Sequence, residues 1–283
     1  MKKIILSFVF IFFLQNFMFG KSACELIKSA SISYCENDLK NSIKHLEEFV
    51  ENYPNHELCE EALSKIGDLY FELNTFDKAE SIYHSILENQ ENIFQEKTEK
   101  ENCYNFLINQ DCNKIIYPKE YNQLKHFALV KLAEINYQKG AYLKALDFLE
   151  QSENNFPYLT NCGTGEMERQ AQNTLMYHEI YMKLGKNNLA LNKLLEQVFN
   201  YQDSNIQIEL KKLLKEKYTE EEITSEIEKS IKNIKTRPEN SINNRKYIVF
   251  FDTKIDIPFY FDEIDNTKSL DQKIKRHFDF IID

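Results

Sequence analysis

Residues 60–88, EEALSKIGDLYFELNTFDKAESIYHSILE, constrain the fold of this chain more than any other stretch. Their helical periodicity predicts two antiparallel helices folded against each other. Gly67, Tyr70, Ala79 and Tyr83 place small and large residues alternately along the seam. Gly67 lets the second helix approach the first, Tyr70 and Tyr83 fill the space between them, and Ala79 keeps the crossing close.

This small–large pattern resembles the tetratricopeptide (TPR) repeat, and it returns twice. In 126–157 Ala133 takes the place of Gly67, Gly140 sits at the bend, Tyr142 follows it, Ala145 matches Ala79 and Pro157 closes the unit. Asn136 stands there where Tyr70 stood, beside Tyr137. In 171–200 Tyr181, Gly185, Ala190 and Leu194 keep the frame, while His178 occupies the small-residue position. Residues 24–54 read as a degenerate repeat, with Leu39, Ile43, Leu46 and Phe49-Val50 at helical spacing before a stop at Tyr53-Pro54-Asn55. The run FVENYPNHELCEEALSKIGDLYF is similar to TPR proteins of bacterial envelopes, including those that assist outer-membrane assembly or coordinate division. The resemblance implies an all-α solenoid of antiparallel helix pairs whose work is holding other proteins or peptides.

The ends of the chain read differently. Lys2 and Lys3 precede an apolar run from Ile4 to Met18, then small residues at Gly20, Ser22 and Ala23, which is the pattern of a signal peptide over 1–20. An export route to the periplasm or envelope follows, with a lipid anchor at Cys24 as the minor alternative. Without residues 1–20 the chain loses two lysines and carries 33 basic against 45 acidic residues, a net charge of −12. That balance opposes nucleic acid, whose phosphates require a basic face, and allows a basic partner. Residues 90–117 lack the repeat pattern and read as an insertion. Residues 201–236 read as closing helices, with Thr219 and Glu222 as a capping box and Ile223, Ile227 and Ile231 as one stripe. From 237 onward YIVFF and IDIPFYF predict a β-hairpin joined by Asp252-Thr253-Lys254, and Ser269 to Ile282 predicts a short helix. A lone hairpin is marginal in water, so it needs the helices or a partner to pack on.

In the TPR family, side chains one and four residues beyond the small position face a concave groove. Carried onto this chain, these positions are Asp68, Glu134 and Glu179, then Phe71, Tyr137 and Met182. An acidic rung beside an apolar one suits a peptide with Lys or Arg next to a hydrophobic anchor. The same residues also read as solvated helix faces and inter-repeat core. Strand addition by the C-terminal hairpin is the other binding mode the sequence offers.

Six cysteines in an oxidising compartment allow fifteen pairings. In the repeat frame Cys24 and Cys59 sit at similar height near helix ends, which makes them the one pair expected to bridge. His45, His56, His84, His126, His178 and His277 are scattered without metal-ligand spacing. The acids Asp256, Asp262, Glu263 and Asp265 lack the alternation of a calcium loop. No phosphate-binding glycine loop or nucleophile motif occurs, so neither catalysis, a cofactor nor a metal is expected.

Overall fold

The computed structural model describes residues 21–56, 58–88, 121–158, 163–199, 204–236, 246–258 and 269–282. The expected signal peptide, the insertion and its cysteines lie outside them. Eleven helices are described, in the order α1 Ala23–Cys35, α2 Leu39–Asn52, α3 Cys59–Glu72, α4 Phe76–Glu88, α5 Tyr121–Gln138, α6 Tyr142–Asn154, α7 Gly163–Lys183, α8 Asn187–Glu196, α9 Ser204–Lys217, α10 Glu220–Lys232 and α11 Leu270–Ile282. Three short strands, β1 Lys235–Thr236, β2 Lys246–Phe250 and β3 Thr253–Asp256, fall between α10 and α11. The chain divides into two compact units between Ile135 and Asn136.

One turn is built four times, and it fixes the repeat frame. Between α1 and α2, α3 and α4, α5 and α6, and α7 and α8, one residue adopts a left-handed backbone: Asn37, Asn74, Gly140 and Gly185. Each donates its N–H three residues back, to Tyr34, Phe71, Tyr137 and Met182 respectively. The next N–H reaches five back, to Ser33, Tyr70, Asn136 and Tyr181. These bonds satisfy carbonyls that a helix end leaves orphaned, and Gly and Asn tolerate the conformation best. The region 24–54 therefore builds the same helix–turn–helix unit as the other three. Its small residue, seven before Asn37, is the buried Ala30.

In the first unit α1 packs on α2, α2 on α3 and α3 on α4. Leu26, Ile27, Leu46, Phe49, Leu58, Ile66 and Leu69 make its core. Gly67 is required by the α3–α4 crossing: a Cβ there would lie 2.8 Å from Tyr83 Cε1 and 3.3 Å from Ile82 Cγ2. Ser22 and Glu25 form a capping box that starts α1, each satisfying a backbone N–H of the first turn.

The bridge expected between Cys24 and Cys59 is not formed, since Cys59 carries a free thiol. Cys24 is itself disulfide-bonded, as is Cys35, so its sulfur is not available to Cys59. Burial, reinforced by Glu60 and Glu61, pushes the Cys59 thiol pKa up.

In the second unit α6 packs on α7, α7 on α8 and α8 on α9. The expected capping box at Thr219 and Glu222 is present at the start of α10. Helix α7 starts at Gly163, well before the 171 expected from periodicity, because the polar stretch GTGEMERQ extends it without an apolar stripe. The hairpin region holds three antiparallel strands in the order β1-β2-β3. Its turn falls at Phe251-Asp252 and not at Asp252-Thr253-Lys254, since Phe250 pairs with Thr253. Both turn residues take positive φ, 43° and 64°, the two-residue geometry whose twist matches paired strands. The Phe251 ring stacks on Tyr218 at 3.7 Å, and its N–H donates to Glu226 Oε1. The sheet packs on helices, β3 against α8 and β2 against α10. Phe250 and Phe199 meet Phe278 of α11 at ring distances of 4.9 and 5.7 Å. That cluster supplies the partner surface a hairpin cannot do without.

Candidate binding surface

Asp68, Phe71 and Glu134 come together in the first unit. Asp68 on α3 accepts a 2.7 Å hydrogen bond from the hydroxyl of Tyr83 on α4. Tyr83 is buried, and burial pushes its pKa far above the usual tyrosine range, with the charges of Asp68, Glu134 and Glu72 adding to it. Glu134 on α5 is half-buried and binds Lys131 one turn earlier, at 2.6 Å. The Lys131 ammonium also lies 4.7 Å from the centre of the Phe71 ring. Ring, ammonium and carboxylate thus form a chain of three groups joined by two contacts. Phe71 also packs on Phe76 at 5.5 Å.

The repeat frame shows the same arrangement one step earlier. Tyr34 stands four residues beyond Ala30, as Phe71 stands four beyond Gly67. Lys65, two before Gly67, places its ammonium 4.0 Å from the Tyr34 ring centre. Tyr34 has its pKa raised, first by burial and then by Glu72 and Asp68. Lys65 and Lys131 occupy one repeat position, two residues before the small one, and sequence reasoning passed over both. The signal was present: once the seven-residue spacing to the turn identifies Ala30, Tyr34 joins the aromatic rung and the lysines align.

Tyr137, Glu179 and Met182 belong to the second unit. The Tyr137 hydroxyl on α5 donates to Glu179 on α7; burial first, then this carboxylate, raises its pKa. Tyr137 also packs on Tyr142 at 5.6 Å. Glu179 is exposed, and Met182 one turn on is half-buried. Other tyrosine hydroxyls pair with carboxylates in the same way. Tyr70 donates to Glu47 at 2.6 Å and Tyr177 to Glu153 at 3.1 Å. Burial, with the Glu47 bond behind it, pushes Tyr70 up to about 12. The acidic rung is therefore part of the inter-helix bonding as well as a charged face.

Among the described residues no group of three or more His, Cys, Asp or Glu is placed to hold a metal ion. No described helix is long and apolar enough to cross a membrane.

Residues 61–92 match the family model of the tetratricopeptide repeat. Among solved structures, the chain is similar to a Podosopora anserina protein of nearly identical TPR-like repeats, named for a kinesin light chain. That likeness has 12% identity and a TM-score of 0.44 over 70% of this chain and 88% of the other. A tetratricopeptide repeat protein from Parabacteroides merdae aligns with 15% identity and a TM-score of 0.24, over 93% of this chain and all of its own. No curated protein matches. The chain thus carries a tetratricopeptide repeat at 61–92, inside a described fold of four helix–turn–helix units, further helices and a small sheet.

Proposed function

We propose that this chain is a non-enzymatic, exported scaffold that holds a protein or peptide in the cell envelope. The partner is a segment with Lys or Arg beside an apolar anchor. Asp68, Phe71 and Glu134 form such a surface in the first unit, and Tyr137, Glu179 and Met182 form one in the second. The observation that carries the reading is the repeated placement of a half-buried ring next to a carboxylate, at the positions that face a ligand in tetratricopeptide repeats. Apolar burial then supplies anchoring, and carboxylates supply orientation and association rate. Export is supported by Lys2-Lys3 and the apolar run to Met18, followed by small residues.

The test is calorimetric titration of mature protein with a synthetic peptide alternating Lys and Leu, beside one alternating Glu and Leu. The basic peptide binds wild type, the acidic one does not, and Glu134→Lys/Glu179→Lys loses at least about tenfold in affinity, or roughly 1.4 kcal/mol. Equal binding of both peptides, or of wild type and variant, would refute the reading. Fractionation with intact-mass analysis tests export: the mature chain lacks residues 1–20 and leaves the cytoplasm.

A further inference from the structure

Three repeat steps place the same kinds of group in the same frame. Step one sets the Tyr34 ring beside Lys65, with Asp68 close enough to raise the tyrosine's pKa. Step two sets the Phe71 ring beside Lys131, itself bound to Glu134. Step three has the Tyr137 ring and Glu179, already joined by a hydrogen bond. At the lysine position of this third step, two residues before His178, the chain has Met176. The first two steps each seat a primary ammonium over an aromatic face, whose quadrupole attracts it, and in the second step a carboxylate holds it as well. The third has ring and carboxylate and no lysine of its own at that position.

We propose that Tyr137 and Glu179 form an open subsite for a partner's Lys or Arg side chain, which takes in the third step the place that Lys65 and Lys131 take in the first two. The assignment rests on the binding function proposed above and narrows it to one cation pocket between α5 and α7. Glu179 is exposed, so an incoming cation reaches its carboxylate from solvent. Its bond to the Tyr137 hydroxyl fixes the carboxylate beside the ring and leaves its charge in place. Met176, which holds the lysine position in this step, is half-buried.

Calorimetry with the Lys/Leu peptide on full mature protein tests this, comparing wild type with Met176→Lys, Met176→Leu and Glu179→Gln. Met176→Lys fills the subsite from within and lowers affinity at least about tenfold, the scale of a 1.4 kcal/mol contact. Glu179→Gln weakens binding, and Met176→Leu, which keeps an apolar side chain, loses far less than Met176→Lys. Circular dichroism melts of each variant separate loss of binding from loss of fold. Should Met176→Lys bind as tightly as wild type, the subsite is wrong while the scaffold reading stands. Should wild type bind no basic peptide at all, both fall.

Discussion

The α3–α4 crossing and the α7–α8 crossing solve one packing problem with opposite choices. At α3–α4 the first helix offers Gly67 and the second fills the space with Tyr83, which is 1% exposed. At α7–α8 the first helix offers His178, 5% exposed, and the second has the shorter Leu194 at the position of Tyr83. Bulk moves from one helix to the other while the seam stays filled, as close packing demands. The exchange has an electrostatic consequence. Tyr83 satisfies its one polar atom within the pair, on Asp68. His178 points its Nε2 to Glu209 on α9 at 3.6 Å, and its Nδ1 is buried with no hydrogen-bond partner. The seam of the first crossing is thus filled by a phenol whose pKa burial pushes up, and that of the second by an imidazole whose pKa burial pushes down.

The largest test of the comparison removes the bulk. Tyr83→Ala should cost about 3–5 kcal/mol in urea unfolding, as truncating a buried aromatic does. Next comes the test of close approach. Gly67→Ala should destabilise by about 1–3 kcal/mol through overpacking against Tyr83. In a Tyr83→Leu background the same change should instead stabilise, by about 0.5–1 kcal/mol, since alanine is the better helix former once the ring is gone. A Gly67→Ala effect of the same sign in both backgrounds would break the account of this seam.

The smallest effect sharpens the other side. Burial holds His178 below the ordinary histidine value of 6.5, more than Glu209 and Glu179 raise it, and Lys212 lowers it further. The unfolded state then binds a proton that the folded state refuses, so this contribution is complete above 6.5 and is lost as pH falls toward the lower folded value. Wild type should therefore lose more stability than His178→Ala between neutral and mildly acidic pH, read by thermal melts. Burial lowers His45 and His277 as well, so the informative quantity is the difference between the two proteins. Identical pH profiles would remove His178 from the account.

Much of this was legible before any coordinates. Gly67, Ala79 and Tyr83 announce a helix crossing because only one arrangement lets residues of those sizes share a seam. Gly140 announces a helix end because it suits the left-handed turn. The Thr219–Glu222 box could be read because both partners lie on one turn. The missed features share a cause, which is that their partners are remote in sequence. Lys131 meets Phe71 sixty residues away, and Tyr70 finds Glu47 across helices. The hairpin turn shifted by one residue because Phe251 pays for its positive φ with a stack on Tyr218, a ring 33 positions earlier.

By itself the sequence determined the helix pairs, their turns and the character of the hairpin region, since these follow from local periodicity, residue size and backbone preference. Tertiary structure alone decided which carboxylate holds which hydroxyl, which rings carry a lysine, that Cys59 stays free, and that the strands lean on α8 and α10. Those outcomes depend on distances between elements, and such distances are set by packing across the fold.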